Sequence, residues 1–283
     1  MAMTDETGRA ARSRIFLNRY YGENGNERKM YDLVFPKNAA GDMGLVLCIH
    51  GGAWVEGNKS GYTESLYQVS EEKGVAAACL NYRYVSESVG FDDELADISA
   101  ALAAIRAEGA ACGINFDRVL LTGISAGAHL ALLYAFTKKD TAPIKPVCVV
   151  ELCGPTDFED PFFYAKDNLL AVREGEDYLP RIISNGTGFS IDLNNMAAAG
   201  AALKKYSPIS YVDGNTVPTV IGHGENDGMV PYRNAVELDA KLTEYGVTHT
   251  FVSFPDSGHG CEDRPSMSKM MGLFFACIDT YLK

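Results

Sequence analysis

The sequence has no uninterrupted apolar run approaching the roughly 18 residues of a membrane-spanning helix, so no such helix is expected. It has no HExxH, no clustered His/Cys and no EF-hand spacing, and Asn226-Asp227-Gly228 is too short for a calcium loop. Catalytic metal is therefore not expected. It has no P-loop, and Gly222-x-Gly224 lacks the rest of a dinucleotide fingerprint, so no cofactor is expected either. Positive charge is in deficit. Lys+Arg number 25 against 37 Asp+Glu, a formal net charge of −12. Nucleic acid and anionic membranes repel such a chain, and neither is an expected partner. Cys48, Cys79, Cys112, Cys148, Cys153, Cys261 and Cys277 form no CxxC pair, and seven is an odd number. Several sit in apolar runs (LVLCIH, VAAACLN, PVCVVELC), where Cys acts as a small buried hydrophobe. Free thiols in a reducing compartment follow. The stretch MAMTDETGRAARSRIFLNRYYG lacks an apolar h-region and an A-x-A pattern. Together these readings predict a cytoplasmic protein. Repeats, low-complexity tracts and linkers are absent too.

What is present is an ordinary globular composition, 47% hydrophobic and 22% charged over 283 residues. Residues 1–13 are polar and are expected to form a loose end. Strand-like and helix-like segments then alternate. Met30–Phe35 reads as a strand, paired with Phe16–Tyr21 through the turn-rich GENGN. Leu45–Ile49, Val75–Leu80 and Val147–Leu152 are short continuous apolar runs, the mark of strands covered on both faces. Arg118–Leu121, Val217–Ile221 and Phe251–Phe254 complete the strands. Apolar residues at 95, 98, 102 and 105 give helical spacing, and Ala126–Phe136, Tyr232–Tyr245 and Ser266–Leu282 read as further helices. The alternation predicts an α/β fold: a mostly parallel central sheet with helices on both faces. About 60 residues separate Leu152 from Val217, more than one crossover needs. Residues 155–206 carry Phe158, Phe162, Phe163, Tyr164, Tyr178 and Met196 among polar positions, and read as a small cap within a single domain, 1–283.

Gly123-Ile124-Ser125-Ala126-Gly127 matches G-x-S-x-G between the strand RVLL and the helix AHLALLYAF. A strand that turns at once into a helix strains its central residue and needs small neighbours. It also lifts the Ser125 hydroxyl clear of the sheet. A serine is a weak nucleophile and needs a base. Of five histidines, His249 opens a strand, His129 suits packing or a hydrogen bond, and His223 and His50 follow strands directly. His259 follows the last strand in PDSGHG, at the sheet edge where ligands bind in such folds. The base needs an acid to fix its tautomer. The stretch HGENDGMVP offers Asp227, with Glu225 as competitor; Asp256 is too near His259 in sequence for a side-on contact. The order Ser125, Asp227, His259 is the α/β-hydrolase order. In HGGAW (50–54) the glycines leave N–H groups uncovered. Gly52, Ala53 and Ala126 are the candidate oxyanion donors. Trp54, Phe158 and Phe162 are candidate substrate contacts.

With these stretches the chain resembles the α/β-hydrolase superfamily, and within it the hormone-sensitive-lipase-like and small bacterial carboxylesterases. HGGAW, NYRY (81–84), GISAGAHLA, SPISYV (207–212), HGENDGMVP and SGHG carry the resemblance, in order from residue 50 to 260. The resemblance implies an α/β-hydrolase fold and cleavage of a small carboxylic ester through an acyl-enzyme. Edge-strand homodimers are compatible with it. Two departures stand out. Ile124 occupies the position before the serine where an acidic residue is usual, and Ala53 replaces the third glycine of the lipase-like loop. HGG-x-W also occurs in arylformamidases and in carbohydrate-acetyl and feruloyl esterases of the superfamily. An arylformamidase-like amide hydrolase is therefore the alternative, and a catalytically silent binding module a more distant one.

Overall fold

The computed structural model describes residues 14–283, so the expectation for residues 1–13 lies outside the described residues. One sheet of eight strands has the order β1-β2-β4-β3-β5-β6-β7-β8. The first two strands, β1 (Arg14–Tyr20) and β2 (Met30–Phe35), pair antiparallel, as the GENGN turn predicts. β2 also pairs antiparallel with β4 (Ala76–Leu80). The remaining ladder is parallel: β4 beside β3 (Gly41–Ile49), then β5 (Ile114–Ile124), β6 (Lys145–Leu152), β7 (Thr219–Gly224) and β8 (His249–Phe254).

The continuous apolar runs are explained by burial on both faces. Leu45, Leu47 and Ile49 of β3 enter one core cluster, while Val46 and Cys48 enter the other. β4 divides likewise, with Ala76, Ala78 and Leu80 on one side and Ala77 and Cys79 on the other. Helices cover both clusters. On the first side lie α2 (Phe91–Ala111), α3 (Ala126–Lys138) and α7 (Tyr232–Glu244), through residues such as Ile98, Leu130 and Leu238. On the second lie α1 (Thr63–Lys73) and α8 (Arg264–Tyr281), through Leu66, Met270, Phe274 and Ile278. The insertion 155–206 holds a 3-10 turn (Pro161–Tyr164), α4 (Leu169–Glu174), α5 (Tyr178–Thr187) and α6 (Met196–Lys205). It leaves the sheet after β6 and returns to β7 in the neighbouring position, Leu152 opposite Gly222. Among the described residues no helix is long and apolar enough to cross a membrane.

The strand order fixes where a site can form. From β3 the chain goes to β4 on one side and reaches β5 on the other. That reversal opens a crevice beyond the carboxyl ends of β3 and β5, where ligands bind in open α/β sheets. β3 and β5 end in register, Ile49 opposite Gly123. HGGAW and the Ser125 turn therefore leave the sheet side by side.

Candidate active site

Ser125 sits at φ 56°, ψ −125°, a left-handed conformation rarely adopted by a residue with a side chain. The turn is held from two sides. The Ser125 N–H donates to Leu152 O at 2.8 Å, and the His129 N–H donates to Ser125 O at 3.0 Å. Its tightness explains the small neighbours. A Cβ on Gly127 would lie 2.1 Å from Ile49 O, backbone that cannot yield without moving β3. Gly127→Ala is expected to destabilise the fold by about 1–3 kcal/mol, the usual range for overpacking. Urea unfolding measures it, and an unchanged midpoint with unchanged m-value contradicts this packing.

The candidate acid and base, Asp227 and His259, stand on adjacent loops that are zipped together by backbone. Glu225 N–H donates to Phe254 O at 3.1 Å, and Asn226 N–H to Ser257 O at 2.9 Å. Gly224 allows the approach, since a Cβ there would lie 2.1 Å from Gly258 O. Asp227 Oδ2 and His259 Nδ1 are 2.7 Å apart. Asp227 Oδ1 accepts the N–H groups of Met229 at 2.8 Å and Val230 at 3.0 Å. His223 Nε2 lies 3.2 Å from Oδ2. Burial alone pushes this carboxyl upward, but the hydrogen bonds and charges of His223 and His259 outweigh it and hold Asp227 well below the usual carboxylate range. Asp227 thus stays ionised, and both of its oxygens are fixed. The competitor Glu225 points elsewhere: it is exposed and accepts the Ser253 hydroxyl at 2.5 Å.

Ser125 and His259 line one cavity of about 390 Å³, together with Gly52 and Ala53. Among the described residues no hydrogen bond joins Ser125 Oγ to His259, a common state before a substrate tightens such a site. The loop after β3 is wound in the left-handed region, with φ 119° at Gly52, 45° at Ala53 and 62° at Trp54. Among the described residues no hydrogen bond uses the N–H of Gly52, Ala53 or Ala126. These are the donors expected to face a developing oxyanion.

What holds this loop was only partly visible in the sequence. His50 stacks on Tyr82 with ring centroids 4.3 Å apart, and the Tyr82 hydroxyl donates to His50 O at 2.9 Å. His50 Nε2 lies 3.0 Å from Arg28 Nη2. Burial, with the Arg28 charge adding to it, lowers the His50 pKa to about 4 against an opposing pull from Gly51 O. A neutral His50 then accepts from Arg28. Asn81 Oδ1 accepts the Lys59 N–H at 2.8 Å, and the Tyr84 hydroxyl donates to Gly57 O at 2.5 Å. NYRY is thus the scaffold of the HGGAW loop. Its hydroxyls and amide beside a Gly-rich strand end were the available signal.

Trp54 lines the cavity, as expected, but its indole mainly anchors the loop. Its Nε1–H donates to His129 Nδ1 at 3.1 Å, and His129 Nε2–H donates to Tyr206 O at 2.8 Å. Burial lowers the His129 pKa to about 4, so the ring stays neutral with its tautomer set by these partners. The hydrogen-bonding role anticipated for His129 is present. One chain of contacts therefore ties the HGGAW loop, helix α3 and the end of the insertion. Trp54→Phe leaves His129 Nδ1 buried without a partner. Stability is expected to fall by about 1–3 kcal/mol, read from the urea midpoint. An equal cost of Trp54→Phe in the wild type and in the His129→Phe background contradicts the hydrogen-bond account.

The insertion contributes differently from the expectation. Phe158 is fully buried, packed against Phe91, Trp54 and His129, and does not line the cavity. Phe162 is half-buried and lies outside the lining too. Asp160 caps the 3-10 turn by accepting the Phe162 N–H at 2.8 Å, and Phe163 is the residue that lines the cavity. Leu170, Arg173 and Leu179 join it there.

The BD-FAE family profile matches residues 31–242. The chain belongs to the BD-FAE family, and its fold is that of the α/β-hydrolases. Among curated proteins it is similar to esterase LipQ of Mycobacterium tuberculosis, 28% identical over 246 residues, which covers 84% of this chain and 55% of LipQ. It is also similar to the probable carboxylic ester hydrolase LipM of the same organism, 26% identical over 224 residues, covering 76% of this chain and 48% of LipM. The chain thus spans about half the length of these relatives. Among solved structures, esterase B from Lactobacillus rhamnosis superposes with a TM-score of 0.73 at 20% identity, over 98% of this chain and 89% of that one. A truncated carbohydrate esterase from gut microbiota gives 0.69 at 22% identity, over 93% and 95%. These structural likenesses show the fold.

Proposed function

We propose that the protein is a serine hydrolase that cleaves small carboxylic esters through an acyl-enzyme. The observation that carries this reading is the ionised, fully hydrogen-bonded Asp227 on His259 Nδ1, with His259 and the strained Ser125 lining one cavity. Ser125 Oγ attacks the acyl carbon as His259 Nε2 takes its proton. The carbonyl electrons move onto oxygen, which the N–H groups of Gly52, Ala53 and Ala126 receive. Collapse expels the alcohol, which takes the proton back from His259. Water, deprotonated by the same nitrogen, then releases the acid. Asp227 holds Nδ1 protonated throughout and stabilises the imidazolium. Residues 155–206 act as the cap that shapes the substrate cavity. The esterase names of the similar proteins support the same reading.

The substrate is a small neutral ester, consistent with a net charge of −12 that disfavours nucleic acid and anionic membrane as partners. Seven free cysteines support a reducing, cytoplasmic setting. The whole chain then acts as one hydrolase domain. The test is a panel of p-nitrophenyl acyl esters of increasing length, run beside N-formylkynurenine. Turnover of short esters is expected. Turnover of the formamide alone overturns the ester assignment, and turnover of neither overturns the enzyme.

A further inference from the structure

Behind the triad lies a cluster that the proposed chemistry leaves partly unused. Cys153 follows β6, and Cys261 stands two residues past His259; both are buried, at 0% and 2% exposure. Both hold left-handed backbones, φ 52° and 50°, that turn their sulfurs to within 3.1 Å of one another. Donor atoms of Cys153, His223 and Asp227 all lie within 4.8 Å of one another. His223 Nε2 faces two acceptors, Val230 O at 3.1 Å and Asp227 Oδ2 at 3.2 Å. Its proton therefore sits on Nε2, and Nδ1 is a bare lone pair, buried with no partner. An unpaired buried acceptor costs about 1–3 kcal/mol, and something that binds it removes that cost.

We propose that Cys153, Cys261, His223 and Asp227 form an inhibitory site for a thiophilic divalent cation of the zinc type. Two thiolates, an imidazole and a carboxylate are a zinc donor set. A tetrahedral ion with bonds of about 2.0–2.3 Å needs neighbouring donors roughly 3.3–3.8 Å apart. The sulfurs, 3.1 Å apart, need only a small opening to reach that spacing; donors of Cys153, His223 and Asp227 already lie within 4.8 Å of one another, and the Cys261 sulfur moves toward them to complete the set. Binding releases the two thiol protons to solvent, since His223 offers its unpartnered Nδ1 and Asp227 is already ionised. It also draws Asp227 from His259, which loses the partner that fixes its tautomer. The ion is thus an inhibitor and no part of the chemistry. The inhibition rests on the triad reading; the binding does not.

Zinc is titrated into the reduced full chain with a non-thiol reductant present, so that a disulfide cannot remove the thiols. Competition with a chromophoric chelator reads stoichiometry, and a short p-nitrophenyl ester reads activity. One tightly held zinc and at least about tenfold loss of turnover, restored by EDTA, are expected. Cys153→Ser and Cys261→Ser are expected to keep wild-type turnover without zinc and to lose most of both effects. Cys153→Ala, which needs no hydrogen bond, serves if a serine variant does not fold. Cobalt gives a second readout, a thiolate-to-metal charge-transfer band that each cysteine variant weakens. Single-cysteine variants that bind and respond as the wild type does overturn the site. Zinc bound with turnover unchanged overturns the inhibition, and an inactive wild type that still binds zinc overturns only the ester reading.

Discussion

Ser125→Ala is expected to lower turnover of short p-nitrophenyl esters by about 10⁴-fold or more. The reason is chemical. With no Oγ there is no acyl-enzyme, and only the oxyanion donors and substrate binding remain to assist water. The fold is expected to survive, because the elbow is held by backbone: Ser125 N–H to Leu152 O and His129 N–H to Ser125 O. Alanine keeps both bonds and tolerates φ 56° no worse than serine does. Ser125→Gly goes further. Glycine adopts this conformation freely, so the inactive variant is expected to gain about 1 kcal/mol of stability. A loss of activity with a gain of stability separates a catalytic serine from a structural one. Unfolding midpoints of the three proteins, measured beside their turnover, decide it.

Asp227→Asn is expected to have the second large effect, a loss of about 10⁴-fold in kcat. The shape of the side chain is kept, and its remaining carbonyl can still accept from Met229 and Val230 N–H. What changes is the other end. The new amide donates where Oδ2 accepted, so His259 must present Nδ1 as an acceptor and carry its proton on Nε2. That nitrogen then has no lone pair for the Ser125 proton. His223 Nε2, 3.2 Å from Oδ2, meets the same reversed partner. A conservative substitution that costs kcat while KM moves little identifies a positioning carboxylate. Glu225→Gln, whose partner is Ser253, is expected to leave turnover within about twofold of wild type. Equal losses from both substitutions contradict the assignment of Asp227.

The positions of Ser125, Asp227 and His259 were more legible in the sequence than the walls of their cavity. Ser125, Asp227 and His259 each follow a strand, and small or glycine neighbours mark the turns at which chains approach closely. Gly127 and Gly224 show why: each leaves room for another backbone that a Cβ would meet at 2.1 Å. Such constraints are local and leave a local trace. The choice between Asp227 and Glu225 was not local, since both follow β7 and only the position of the His259 loop separates them. Phe158 and Phe162 fail as wall residues for the same kind of reason. An irregular segment has no period, so nothing in PFFY tells Phe162 from Phe163. Helix α1 was missed because TESLYQVSEEK buries only Leu66 and Ser70, too thin a stripe to show periodicity. The β3–β4 crossover demands a helix, since parallel neighbours cannot be joined by a tight turn. The apolar strands were easy because they are buried twice over, as the alternation of Leu45, Val46, Leu47 and Cys48 between the two clusters shows.

A fluorophosphonate probe tests the central claim most directly. It reacts with a serine only where a base has activated it and an oxyanion site receives the phosphoryl oxygen. Intact mass after labelling is expected to show one adduct per chain, peptide mapping to place it on Ser125, and ester turnover to fall in proportion to labelling. Ser125→Ala is expected to take none. A wild-type chain that hydrolyses esters yet carries no adduct, or carries it on another residue, contradicts the account.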